Sequence, residues 1–160
     1  MADDPLGTYL NDHMGGAMLG SELADQIRDR NEGTPLGGLM ASIAAEIEED
    51  REVLDNLMDE LGVGRNPVKQ VTGWVAEKMS RVKFSGVGLG DAGHGNFMAL
   101  ESLALGVLGK RSLWVALKAV EGQHDALREL DLDGLIERAD AQHHVLERAR
   151  IQAAPVALSG

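Results

Sequence analysis

From Leu36 to Leu61 the apolar residues Leu36, Met40, Ile43, Ile47, Leu54, Leu57, Met58 and Leu61 recur at helical spacing and line one face of an α-helix about seven turns long. Such a stripe needs partner helices along its whole length. One acid, Asp50, falls squarely inside it, with Glu46 at its edge; Glu48 and Glu52 turn to solvent and Glu49 lies far from the face. Thr34-Pro35 and Asn66-Pro67 each put a capping residue before a proline at the first helical position. Strand-type alternation is nearly absent, and only five residues are aromatic. The expected fold is therefore all-α, a single helical bundle domain over residues 1–160. Helices are expected near 6–30, opened by Asp4 or Thr8; 35–61; 67–83; 96–120, opened by Asn96; and 133–153, opened by Asp131 or Asp133 and closed by Pro155.

The short connection around Gly33 makes the first two helices antiparallel neighbours, and the connection from Gly122 to Leu132 does the same for the last two. The shorter middle helix then bridges two hairpins, giving an antiparallel four-helix bundle with a short extra helix in the crossover. The net charge of −11 divides unevenly. Residues 1–64 carry 3 basic and 15 acidic side chains, residues 65–120 carry 8 and 3, and residues 121–160 carry 4 and 8. A cationic middle between two anionic hairpins implies attraction between neighbouring helix rims. The overall acidity argues against nucleic-acid and membrane partners. The absence of cysteine excludes disulfides and thiolate chemistry. With an acidic start, Met1-Ala-Asp-Asp-Pro5, and no apolar run of the roughly 20 residues that span a bilayer, the expectation is a cytoplasmic protein.

The first helix presents Leu6, Leu10, Ala17, Ala24 and Ile27 on its apolar face, with Gly16 and Gly20 allowing close approach. His13 lies mid-face, whereas Glu22 points away. Folding this hairpin about Gly33 sets Asp50 opposite position 16, within one turn of His13, so the two are expected to meet. Functionally, they could form a general base or half of a metal site; structurally, a paired histidine would fix hairpin register. The helix over 96–120 is apolar around much of its circumference, which suits deep enclosure or a homo-oligomer contact. Glu101 is set among Phe97, Leu105 and Leu108 and calls for a partner or a raised pKa. In the last helix Leu135, Ala139, Gln142, Leu146, Ala149 and Ala153 form the inner stripe, with His143 beside it and His144 off it.

Two helical hairpins enclosing carboxylates and a histidine resemble the ferritin-like superfamily. The runs Tyr9-Leu10-Asn11-Asp12-His13 and Glu46-Ile47-Glu48-Glu49-Asp50-Arg51 are similar to the first two helices of its small bacterial members. The resemblance implies a four-helix bundle and, in iron-binding members, an inward Glu on two helices with Glu-x-x-His on the other two. This chain departs from that pattern. Its first helix offers His13, Glu46-x-x-Glu49 lacks a histidine, Glu101 matches the third helix, and Asp140-x-x-His143 substitutes Asp for Glu. Folding the second hairpin about residue 127 leaves His143 about ten residues, roughly 15 Å, from the level of Glu101. The expectation is a structural or interaction protein without the standard di-iron centre and without a cofactor. The alternative is an iron- or manganese-binding oxidoreductase or metal store using His13, Glu46, Asp50, Glu101 and His143.

Gly88-Leu-Gly90-Asp-Ala-Gly93 matches a dinucleotide-binding string but lacks the preceding strand and βαβ unit, so it reads as a crossover. The basic amphipathic stretch bearing Lys69, Lys78, Arg81 and Lys83 is expected to dock on the acidic hairpins. No Ser-His-Asp grouping or phosphate-loop lysine is visible, and no catalytic residue is assigned.

Overall fold

A computed structural model describes residues 4–66 and 92–160. Within them the chain is all-α, and no strand occurs. The long helices are α1 (Pro5–Arg30), α2 (Pro35–Glu60), α3 (Ala92–Ala119) and α5 (Leu132–Ala157); a 3-10 turn (Glu121–Gln123) and the one-turn α4 (Asp125–Arg128) join α3 to α5. The expected helix over 67–83, the Pro67 start and most of the glycine string lie outside the described residues. No described helix is long and apolar enough to cross a membrane.

Three starts share one device. The side chains of Asp4, Thr34 and Asp131 accept from the backbone N–H of Gly7, Gly37 and Gly134, at 3.0, 3.2 and 3.0 Å. Each bond satisfies a donor that the first helical turn leaves unpaired, worth about 1 kcal/mol. The start of α3 differs from expectation, since the chain is already helical from Ala92, ahead of Asn96. Asn96 is committed elsewhere, exchanging side-chain hydrogen bonds of 3.0 and 2.9 Å with Asn31 at the end of α1. Nor does Pro155 close the last helix, which continues to Ala157. So near a C-terminus the missing N–H forfeits a single bond, and Leu158 N–H still reaches Ala154 O at 2.9 Å.

The helices pair as two antiparallel hairpins, α1 with α2 and α3 with α5, with α1 also packed on α3. Ser21 Oγ donates to Glu48 Oε2 at 2.5 Å across the first hairpin. Just beyond α2, Asn11 donates to Gly64 O at 2.8 Å and accepts from Asn66 N–H at 2.8 Å, clamping that segment to α1. In the second hairpin Glu101 faces Arg150, Arg111 faces Asp140 and Lys118 faces Asp133. This register is offset by three residues from folding about residue 127. The described cations of the middle segment meet acids, Arg65 also binding Asp55 and Asp59; Lys69, Lys78, Arg81 and Lys83, expected to dock on the acidic hairpins, lie outside the described residues.

The interior holds two apolar clusters. One contains Leu23 and Ile27 of α1, Met40 to Ile47 of α2, Leu100 to Val107 of α3, and Ala139 and Leu146 of α5. The other contains Leu10 and Met14, Leu54 to Met58, Leu113 to Leu117, Leu127 and Leu132. On α1, α2 and α3 the fully buried apolar residues break off across 15–22, 48–53 and 108–112. Asp50, Lys110 and the glycines Gly16, Gly20 and Gly109 occupy this break.

Candidate functional site

Asp50 sits inside, 2% exposed, as its place in the apolar stripe requires. Its Oδ2 accepts from Lys110 Nζ on α3 at 2.6 Å and from Gln142 Nε2 on α5 at 3.1 Å. Lys110 also donates to Gln142 Oε1, while Gln142 Nε2 reaches Glu46 Oε2 at 3.0 Å. On the other side Arg138 Nε lies 3.5 Å from Asp50 Oδ1, close enough for charge attraction; neither atom has a hydrogen-bond partner among the described residues. Arg138 Nη2 is anchored on Glu46 O at 3.0 Å and Glu49 Oε2 at 2.7 Å. The layer ties α2 to α5, which otherwise touch sparingly. A buried carboxylate is tolerated only when answered in this way, because an isolated one costs many kcal/mol. Burial pushes the Lys110 amine below its usual range, with the charge of Asp50 opposing the shift.

Next to this layer a cavity of about 260 Å³ opens between α1, α2 and α3. Gly16 and Gly20 of α1 and Gly106 and Gly109 of α3 line it, and a Cβ built on any of the four meets no atom of the described residues within 4 Å. These glycines therefore hold space open, whereas the sequence reading assigned Gly16 and Gly20 to close helix approach. Glycine inside a helix costs about 1 kcal/mol relative to alanine, so four of them mark a costly feature. The rest of the wall is largely apolar, including Leu23, Leu54, Leu103 and Trp114. Trp114 is 1% exposed, and its indole N–H has no hydrogen-bond partner among the described residues.

His13 reaches the same cavity and lies edge-on to Tyr9, ring centroids 4.6 Å apart. It makes no hydrogen bond to Asp50, so the expected pair is not formed. With Ser21 facing Glu48, Asp50 is level with Leu19, six residues or about 9 Å along the axis from His13. Burial lowers the pKa of His13, and the charge of Asp12 partly opposes this.

Comparison brings no relative. No family model, curated protein or solved structure matches the chain.

The five residues proposed as metal ligands are distributed rather than gathered. Glu46 and Asp50 belong to the ionic layer, His13 lines the cavity, and Glu101 lies 3.5 Å from Arg150, which stacks over Phe97. His143 is half-buried on α5, where its charge helps hold Glu147 low, after the larger effect of Arg150. The observed register places His143 about seven residues, roughly 10 Å, from the level of Glu101. Among the described residues no three acids or histidines are grouped to hold a metal ion. Among the described residues Lys110 and Arg138 already answer Asp50, the one deeply buried carboxylate, so the donors described do not fit a di-metal centre.

Lys110 and Arg138 were not singled out from sequence. The signal for Lys110 was present, since Leu103, Val107, Lys110, Trp114 and Leu117 form one stripe at three- and four-residue steps. Glu48 also departs from its expected solvent face, being half-buried and bonded to Ser21 and Arg51.

Proposed function

We propose that this chain is a ferritin-like antiparallel four-helix bundle without a carboxylate-bridged metal centre, and that it binds a small molecule in the cavity between α1, α2 and α3. The glycine lining carries this reading. A bundle selected for stability alone would fill positions 16, 20, 106 and 109 with alanine or larger residues, and nothing among the described residues opposes a Cβ there within 4 Å. Mostly apolar concavities with a few convergent polar groups are the usual form of small-molecule sites. The role of Asp50 is then architectural, fixing the wall that Lys110 shares.

Titration with naphthalene, followed by calorimetry, tests this. One saturable site per chain is expected, and Gly106→Leu or Gly16→Leu should remove it while leaving the helical circular dichroism signal intact. The reading fails if the natural chain does not bind, or if the filled variants bind as it does.

Leu108 and Val115, 38% and 43% exposed and two turns apart on α3, support a homo-oligomer contact as a second role of this surface. Light scattering of Leu108→Glu/Val115→Glu should then report a smaller particle than the natural chain gives.

A further inference from the structure

The charges around the cavity restrict what it can hold. Asp12 and Asp50 face it on the acidic side, Arg51 and Lys110 on the basic side. Three of the four are answered within the chain. Asp50 and Lys110 pair with each other, and Arg51 pairs with Glu48. Asp12 is exposed. His13 adds no charge near neutrality, because burial favours its neutral ring. Among the described residues the lining thus leaves no unmatched cation for a ligand anion, and its one unmatched anion, Asp12, is exposed, where solvent screens its hold on a ligand cation.

One donor remains. The Lys110 ammonium has three N–H groups; Asp50 Oδ2 and Gln142 Oε1 accept two, and the third has no partner among the described residues. A ligand carboxylate there would share the ammonium with Asp50 Oδ2, only 2.6 Å from Nζ, and would face that carboxylate's repulsion in a low-dielectric interior. A ligand ammonium would face Lys110 itself. A neutral oxygen acceptor meets neither penalty. Size follows from volume: a dry cavity of about 150 Å³ admits benzene, so about 260 Å³ suits roughly ten non-hydrogen atoms.

We propose that the cavity takes an uncharged, largely apolar molecule of roughly ten non-hydrogen atoms bearing one hydrogen-bond acceptor, such as a medium-chain ketone, ester or alcohol, whose oxygen Lys110 Nζ meets. This rests on the cavity being a ligand site, as proposed above. Three probes of nearly equal length, 2-octanone, octanoate and octylamine, competed against naphthalene at neutral pH, separate the chemistries. 2-Octanone should displace naphthalene at least about tenfold more tightly than either charged probe, a difference of about 1.4 kcal/mol. Its carbonyl stretch, read by infrared spectroscopy on the bound ¹³C-labelled ketone, should fall below its value in hexane. Lys110→Met should remove that shift; should this variant not fold, the shift in the natural chain still decides. Octanoate or octylamine binding as tightly as the ketone, or an unshifted carbonyl, overturns the ligand class while naphthalene binding keeps the site. Failure of naphthalene itself to bind overturns both.

Discussion

Lys110 places its ammonium 2.6 Å from the carboxylate of Asp50, joining α3 to α2 across a separation of 60 residues at the break between the two apolar clusters. The pair is buried, Asp50 almost completely, so its members should depend on each other more than on any exposed partner. Lys110→Met should cost about 3–5 kcal/mol, because Asp50 then keeps a hydrogen bond only from the neutral Gln142 amide, and its remaining cation, Arg138, makes none to Oδ1. Asp50→Leu/Lys110→Met should cost less than Lys110→Met alone, since no buried charge is left unanswered. Urea denaturation of both variants checks the order; a double variant less stable than the single one would falsify the coupling.

Glu48 links the two helices of the first hairpin and carries the clearest pH signature. The Arg51 guanidinium first, then the Ser21 hydroxyl, holds its carboxyl down at about 2, against an ordinary value of 4.5. The unfolded chain therefore binds the proton more readily between those values, and the stability Glu48 contributes is complete above about 4.5 and disappears as pH falls through about 2. Its side chain is 42% exposed, so solvent screening limits the effect to about 1 kcal/mol or less. Glu48→Gln should flatten the fall in stability between pH 5 and 2, measured by denaturation at each pH. An unchanged slope would show that the hairpin link is without energetic consequence.

His13 gives the opposite sign near neutrality. Burial lowers its folded pKa below 6.5, so acidification through that range favours the unfolded chain, and stability should rise with pH up to about 6.5. Protonation also places a cation at the cavity, facing Asp12 on its own helix, Asp50 and Arg51 on α2, and Lys110 on α3. Naphthalene affinity should therefore weaken from pH 7 to pH 5 in the natural chain and stay level in His13→Gln. The His13 proton resonances, followed by NMR, should titrate below 6.5; a midpoint above it refutes the reading.

Much of this arrangement was legible in the residues. Thr34-Pro35 marks the start of α2, and helical spacing puts Asp50 inward. The choice of partner was not legible, because it depends on register. Folding about Gly33 set Asp50 near His13, but Ser21 against Glu48 displaces the alignment by three residues, nearly a full turn. The second hairpin is displaced in the same way, since its connection contains a 3-10 turn and the short α4 rather than a symmetric loop. Asn96 looks like a cap in its sequence neighbourhood because that neighbourhood cannot reveal Asn31, 65 residues away. The glycines were ambiguous in a deeper sense, as a missing Cβ serves close packing and an open cavity equally well until the facing helix is placed.

That ambiguity yields the sharpest test. Gly20→Ala and Gly109→Ala add a Cβ where no atom of the described residues lies within 4 Å, in helix interiors. Each should stabilise the fold by about 0.5–1 kcal/mol, raising Tm by roughly 2–4 °C for each kcal/mol. Gly37→Ala provides the contrast, because its Cβ would overlap the carbonyl of Asn31 in the turn before α2, and Gly134→Ala would strike the Asp131 carboxylate that caps α5. Both should lower Tm. Gains at positions 20 and 109 combined with weaker naphthalene binding would show that stability is forgone there to keep the cavity open. Losses at those two positions would mean that the glycines serve the backbone instead.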